Sequence, residues 1–160
     1  MKTLRLAWFG VVLILLAGCG HRAPTEEDVL NGQAKLPAGL PVAALEWRTI
    51  ASSVDRAHGT MDLLTGNDLA VKYSGSGSYP EGSQLALVTW LARDDPHWFG
   101  ARIPGSFVSL ELVTVARGAD GKLAARYKRY AGEPAREVTD SAAAEGRKTR
   151  ILGLRAAVMP

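Results

Sequence analysis

One histidine, His97, lies among groups that could take part in chemistry. It follows Asp94, Asp95 and Pro96 and precedes Trp98. Carboxylates beside an imidazole favour its protonated form, whereas an apolar pocket favours the neutral form that can ligate a metal. His97 and Trp98 are therefore candidates for contact with a bound ligand. The alternative, which we favour, is that Asp-Asp-Pro forms a turn and the two rings cover a sheet edge.

A metal site of oxygen and nitrogen ligands would have to combine Asp94, Asp95, His97 and Glu111. Two adjacent aspartates seldom ligate the same ion, and the chain has no His-x-x-His or Glu-x-x-His spacing. We therefore predict no metal site.

The sequence gives no support for nucleophilic catalysis. Cys19 is the only cysteine, and no serine lies in a Gly-x-Ser-x-Gly motif. Residues 75–78 are rich in glycine but lack the Gly-Lys-Thr end of a phosphate-binding loop. These features favour a protein that is not an enzyme, although they leave an enzymatic activity open.

The N-terminal residues have the pattern of a lipoprotein signal peptide. Lys2 and Arg5 precede an apolar run of about 11 residues, which is too short to span a bilayer. The run ends in Leu16-Ala17-Gly18-Cys19, a pattern that is cut before a lipid-modified cysteine. We predict a signal peptide over residues 1–18 and lipidation, including palmitate, at Cys19. The alternative is an ordinary signal peptide with an incidental cysteine.

The predicted anchor determines the compartment and the charge of the mature chain. Gly20, rather than an aspartate, follows Cys19, which favours the outer membrane of a host with two membranes and a domain facing the periplasm. Loss of Lys2 and Arg5 lowers the formal net charge from +3 to about +1, with the charges interspersed. We therefore predict a membrane-bound protein that does not bind nucleic acid.

Residues 19–42 have the composition of a flexible tether. They contain Pro24, Pro37 and Pro41 and few large apolar side chains, so they are expected to bury too little surface to fold. Within them, residues 25–28 could cap only a short helix. We expect the folded domain to cover residues 43–160.

The domain has the period-two hydrophobic pattern of β-strands. Residues 84–91 are apolar on both faces, with Leu85, Leu87 and Leu91 on one side, which predicts a central strand. Six aromatic residues could line a pocket, but aromatic residues of sheet proteins more often belong to the core and its rim. They are Trp47, Tyr73, Tyr79, Trp90, Trp98 and Phe99.

The remaining elements are predicted from the same patterns. They are a helix or strand over residues 46–53, a strand over 60–64 closed by a turn at 65–68, strands over 107–115 and 123–130 joined by a hairpin loop at 117–121, and a helix capped by Thr139 and Asp140. The charged strand over residues 123–130 is expected at a sheet edge. Residues 151–154 are apolar enough to dock on the sheet. The predicted class is α+β, mainly an antiparallel β-sheet with flanking helices.

Short segments between Trp47 and Tyr130 have a characteristic order. They are Trp47-Arg48-Thr49-Ile50, Gly59-Thr60-Met61, Gly66-Asn67-Asp68-Leu69-Ala70, Tyr79-Pro80-Glu81-Gly82-Ser83, the strand from Leu85 to Trp90, the segment from Asp95 to Gly105, and Ser109-Leu110-Glu111-Leu112-Val113. In order and spacing they resemble the cytochrome P-460 family, over about half of the mature chain.

The resemblance implies a secreted haem protein with a mainly antiparallel β fold. Members hold a c-type haem at a Cys-x-x-Cys-His motif, some crosslink a lysine to the porphyrin and oxidise hydroxylamine, and relatives bind gases such as nitric oxide. In this chain the motif would follow Tyr130, where there is neither cysteine nor histidine, so covalent haem at that motif is excluded. Lys72 lies near the position at which the resemblance would place the crosslinking lysine. We do not assign it that role, because the alignment has a gap around residues 75–78.

Three functions follow as hypotheses. We favour a membrane-anchored periplasmic module with a cytochrome P-460-like domain and no cofactor, which binds a small ligand or a protein partner or acts as an accessory protein. One alternative is a redox or gas-sensing protein that holds haem noncovalently through His97. The other is a structural lipoprotein of the cell envelope.

Overall fold

The computed structural model describes residues 31–41 and 46–156, which form an antiparallel six-stranded sheet with two helices. Strands lie in the sheet in the order in which they occur in the chain. Their bounds are β1 (Arg48–Asp55), β2 (Thr60–Gly66), β3 (Gln84–Asp94), β4 (Arg102–Arg117), β5 (Leu123–Ala131) and β6 (Arg136–Val138). The helices are α1 (Asp68–Tyr73) and α2 (Ser141–Gly153), and a 3-10 turn covers Gly32–Ala34. The α+β class with a mainly antiparallel sheet is confirmed.

The predicted central strand is β3, which pairs with β2 on one side and β4 on the other. Residues 85–90 are all buried, because apolar layers cover both faces of the strand. Leu91 differs from the expectation, since it is 51% exposed. It pairs with Thr60, the first residue of β2, so it lies at the margin of the covered part of the sheet.

Each face of the sheet carries its own core. The first, which we call the helix-side core, lies under α1 and α2 and contains Ile50, Leu64, Ala70, Leu85, Leu87, Val113 and Ile151. The second, which we call the segment-side core, contains Leu40, Ala86, Val88, Trp90, Leu110 and Ala135. Side chains alternate between the two cores along each strand, so Tyr127 packs against the helix-side core and Tyr130 against the segment-side core.

Residues 31–41 contact the sheet, which differs from the tether expected over residues 19–42. Leu40 is buried in the segment-side core, and the Asn31 side chain donates a hydrogen bond to the carbonyl of Pro104 at 2.6 Å. The amide of Ala135 donates to the carbonyl of Ala38 at 2.8 Å. The second apolar face of the sheet needs a cover, and this segment supplies it. Cys19 and the other expectations for residues 1–30 lie outside the described residues.

Helix α1 replaces the turn expected after the second strand. The Asn67 side chain accepts a hydrogen bond from the amide of Ala70 at 3.0 Å and so caps the helix. β2 runs on through Gly66, where a Cβ would lie 2.8 Å from Cδ1 of Ile50 and 2.9 Å from Cβ of Ala70. Only glycine fits this close approach of the strand end to the helix.

The other predicted elements are largely found. Residues 46–53, left open between helix and strand, contribute β1, and the hairpin loop before β5 is confirmed. Among the described residues, the predicted edge position of β5 holds over residues 123–128, whereas β6 pairs with residues 129–131. Asp140 caps α2 by accepting from the amide of Ala143 at 3.3 Å, and Ile151 docks in the helix-side core as predicted.

Candidate functional site

The β3–β4 hairpin projects beyond the rest of the sheet. Residues 92–94 pair with residues 102–104, whereas β2 begins at Thr60, opposite Leu91. We call residues 92–104 the arm. Asp94 and Arg102 form an ion pair at the base of its loop.

Short-range hydrogen bonds fold the tip of the arm. The Asp95 side chain accepts from the amide of His97 at 2.8 Å, and the Asp95 amide donates to the carbonyl of Ala101 at 3.0 Å. The amide of Ala101 also donates to the carbonyl of Trp98 at 3.0 Å. These bonds hold Trp98, 73% exposed, and Phe99, fully exposed, at the outermost point of the loop. These two adjacent aromatic side chains form an exposed apolar patch at the tip of the arm.

The structure places the predicted site residues at two ends of the sheet. His97 and Trp98 lie together at the tip of the arm. Lys72 lies on α1, which follows β2. The last residue of β2, Gly66, pairs with Leu85 near the start of β3. The length of β3 separates these ends by about 30 Å, at roughly 3.3 Å a residue. One ligand therefore does not contact both His97 and Lys72, and Cys19 lies outside the described residues.

Glu111 does not join the aspartates of the arm. It pairs with Leu87 in the middle of β3, whereas Asp94 pairs with Arg102 at the far end of the strand. Among residues 31–41 and 46–156, no three or more His, Cys, Asp or Glu side chains are grouped closely enough to hold a metal ion.

Glu111 is instead the centre of a buried polar cluster beneath α2. Its carboxylate has no solvent exposure, and the Arg147 guanidinium donates to both of its oxygens. The Tyr127 hydroxyl donates to the same carboxylate. We call Glu111, Tyr127 and Arg147 the Glu111 cluster. A bidentate arginine and a hydroxyl compensate the lost hydration of this buried charge.

A second carboxylate contacts α2 one turn further along. The Asp62 carboxylate, 7% exposed, accepts from the Arg150 guanidinium at 2.9 Å and from the Thr89 hydroxyl at 2.7 Å. Asp62 and Thr89 are paired across β2 and β3, and Thr89 pairs with Ser109 on β4. Two arginines of one helix thus bind carboxylates on two different strands, which fixes the position of α2 on the sheet.

The Glu111 cluster alters the acid–base chemistry of its members. Desolvation by burial, followed by the hydrogen bond to Glu111 and its negative charge, raises the pKa of Tyr127 to about 12. The hydrogen bond to Glu111 and its charge raise the pKa of Arg147 above its usual range. Both shifts favour the protonated forms, so the ion pair and the hydroxyl donor persist across the physiological range.

Stability is expected to fall as the pH rises from about 10 to about 12. Tyr127 in the unfolded chain loses its proton near its ordinary pKa of 10, whereas the folded state retains the proton until about 12, so folding becomes less favourable between these values. Urea unfolding as a function of pH measures this slope. Tyr127→Phe should reduce it, and Tyr73→Phe, outside the Glu111 cluster, should not. Equal slopes in Tyr127→Phe and the wild type would contradict the assignment.

In the sequence, Glu111 stood out only as one of four groups of a metal site that we predicted to be absent, and its partners Tyr127 and Arg147 were not predicted. The signal was present: Glu111 alternates in phase with Val113 and Val115, which both belong to the helix-side core. A carboxylate at such a position needs a cation. Arg147 lies four residues before the docking residue Ile151 and therefore on the same helix face.

The aromatic residues divide between the two cores and the arm. Tyr79 is buried in the helix-side core and Trp90 in the segment-side core, as the favoured interpretation predicted. Tyr73 and Trp47 pack against these cores. A separate cavity of about 420 Å³ lies beside residues 31–41, and its lining contains none of His97, Trp98 and Lys72. The side chains that line it include Gln33, Lys35, Leu36, Ser106, Phe107 and Glu133.

Comparison with known proteins does not place the chain in a family. No protein-family model matches it, and no curated protein matches it. Over residues 31–41 and 46–156, no helix has the length and apolar character needed to cross a membrane. Trp98 and Phe99, at the tip of the arm, are the most exposed large apolar side chains among the described residues.

Proposed function

We propose that the protein is a membrane-anchored lipoprotein, held through Cys19 and facing the periplasm, whose domain binds a partner through the arm. The observation that carries this proposal is the pair of exposed aromatic rings at the tip, Trp98 and Phe99. Aromatic side chains dominate the binding energy of protein interfaces when a partner buries them. An accessory or binding role needs no cofactor and no nucleophile.

The backbone of the arm supports this role. The Asp95–Ala101 and Trp98–Ala101 hydrogen bonds fix the loop before any partner binds. A preformed loop loses less conformational entropy on association than a mobile one. Asp94 and Arg102 leave the base of the loop locally balanced in charge, so the apolar tip is the main source of affinity.

The proposal includes a cytochrome P-460-like fold without covalent haem. It is supported by the resemblance over Trp47–Tyr130, because that range contains β1 to β4 and nearly all of β5 of the mainly antiparallel sheet. In the haem alternative, His97 would ligate the iron noncovalently. Titration with hemin distinguishes the two functions. A saturable Soret band that disappears in His97→Ala would replace the accessory role with the haem alternative.

Lipidation is expected to depend on Cys19 alone. In cells fed radiolabelled palmitate, the full chain should take up label and fractionate with membranes, because the cysteine is the acceptor of the predicted lipid. Cys19→Ala should lose the label and leave unprocessed chain, whereas the nearby control His21→Ala should keep it. A labelled Cys19→Ala variant would rule out the anchor as proposed.

The tip of the arm is expected to crosslink to a partner in living cells. p-Benzoylphenylalanine at position 99 should give a discrete adduct on irradiation, because Phe99 is fully exposed at the end of the arm. The matched control is position 123, where Leu123 is also exposed but lies on β5. Adducts from position 123 alone would move the binding surface away from the arm. A stable protein adduct without binding of a small ligand would also fit the structural-lipoprotein alternative. Deletion of the gene, followed by measurement of envelope integrity, would test that alternative.

A further inference from the structure

The outer edge of β1 is long and unpaired among the described residues. β1 has eight residues and pairs with β2 along one side. An open strand edge presents backbone amides and carbonyls that can continue the sheet into another chain. The opposite edge of the sheet, over residues 123–128 of β5, is also open among the described residues.

The two edges differ in charge. Over residues 123–128, β5 carries Arg126 and Lys128, and like charges on a strand oppose its pairing with a copy of itself. β1 carries one positive charge at its start, Arg48, and one negative charge at its end, Asp55. The six residues between them are uncharged. An antiparallel copy of β1 would therefore bring opposite charges together at both ends.

A β-bulge places both charges on the same face of the sheet. The register of β1 with β2 shifts between Thr49 and Ala51, so Ile50 is the extra residue. Arg48 then lies opposite Gly66, and Asp55 lies opposite Thr60. Gly66 and Thr60 are an even number of residues apart on β2 and so share a face. Without the bulge, Arg48 and Asp55 would lie on opposite faces and could not pair across a symmetric interface.

We propose that a second copy of this chain pairs antiparallel with the outer edge of β1 and joins the two sheets. The seven register positions of β1 have Ser52 at their centre, which places Ser52 on the twofold axis. Thr49 then lies opposite the partner's Val54, and Arg48 opposite the partner's Asp55. Every contact occurs twice, as a twofold interface requires.

The side chains along this edge are available for the pairing. Arg48, Thr49, Ser52 and Val54 are all exposed. Asp55 already accepts from the amides of residues 57 and 58 and from the His58 ring. A carboxylate has about four acceptor positions, so Asp55 retains capacity for the partner's arginine.

Cysteine crosslinking tests the register directly. Ser52→Cys is introduced into the full chain, with Cys19→Ser so that the new thiol is the only one. In the proposed register, the two copies of residue 52 have Cα atoms about 4.5–5.5 Å apart. This separation lies within the range of a disulfide. Mild oxidation in detergent solution should give a covalent dimer that reduction reverses.

Ser53→Cys is the matched control, since it is the same change at the next residue, which is also exposed. Its two copies would lie roughly 8 Å apart and face the other side of the sheet, beyond the reach of a disulfide. It should remain monomeric under the same oxidation. Equal crosslinking of both variants, or none in a folded Ser52→Cys variant, would overturn the proposal.

Charge reversal gives an independent test. Arg48→Glu should weaken dimerisation, measured by sedimentation of the full chain in detergent, by about tenfold, because it repels the partner's Asp55 at both ends of the interface. Combining it with Asp55→Lys should restore the dimer. Circular dichroism establishes that each variant is folded. A monomeric wild type, or a dimer unaffected by Arg48→Glu, would refute β1 pairing.

Discussion

Arg147→Met is expected to destabilise the folded protein by about 3–5 kcal/mol. The substitution keeps an apolar side chain of similar length but leaves the Glu111 carboxylate, which has no solvent exposure, without its cation. The remaining donor in the Glu111 cluster is the hydroxyl of Tyr127, which cannot neutralise the charge. Urea unfolding near neutral pH measures the loss.

Two further variants separate the buried charge from other causes. Arg150→Met should cost about 1 kcal/mol, because the Arg150 side chain is half exposed and Asp62 retains the hydroxyl of Thr89. Glu111→Leu combined with Arg147→Met should recover most of the lost stability, since a buried ion pair can often be replaced by apolar side chains. A loss below about 1 kcal/mol in Arg147→Met alone would show that Glu111 is not held as a buried anion.

Trp90→Ala is expected to cost a similar amount, about 3–5 kcal/mol, for a different reason. Trp90 is 8% exposed and packs in the segment-side core with Val88 and Leu110. Removal of a buried indole loses its apolar burial and leaves a cavity that the sheet cannot close. The free energy of unfolding in urea measures the effect, and a change below about 1 kcal/mol would remove Trp90 from the core.

The arm supplies the control for the Trp90 prediction. Trp98→Ala deletes the same side chain at a position that is 73% exposed, so stability should change by less than about 0.5 kcal/mol. Trp90→Phe should lie between the two, because the ring is kept while the indole nitrogen, which has no hydrogen-bond partner among the described residues, is removed. The three variants together measure how far burial, rather than residue type, determines the contribution of a tryptophan.

Local patterns in the sequence were enough to predict most of the sheet. The apolar run around Leu87 predicted the central strand, the Asp120-Gly121 turn predicted the hairpin, and Asp140 predicted the start of α2. These features are local, since strand periodicity, turn geometry and helix capping depend on residues a few positions apart. The lipid anchor at Cys19 and the cytochrome P-460-like fold remain predictions.

The candidate site was predicted in part. Asp94, Asp95 and Pro96 were expected to form a turn; in the structure Asp94 still belongs to β3, and the chain turns from Asp95, whose side chain accepts from the amide of His97. The expectation that its rings cover a sheet edge differs from the structure, in which Trp98 projects into solvent. Exposure depends on whether neighbouring strands extend as far as the loop. β2 begins at Thr60, opposite Leu91, and therefore does not reach the loop. The sequence of the loop does not determine where β2 begins.

The sequence by itself determined the β4–β5 hairpin, the apolar character of both faces of β3 and the capped C-terminal helix, because each follows from a pattern among residues a few positions apart in the chain. Only the tertiary structure decided which segments cover the two faces of the sheet and which charges meet beneath α2. Glu111 and Arg147 are 36 residues apart in the sequence. Leu40 and Leu110, which belong to the same core, are separated by a longer stretch of chain. A buried carboxylate needs a cation, and an apolar sheet face needs a segment that covers it. The packing of whole elements decides which residues meet these needs, and no local sequence pattern specifies them.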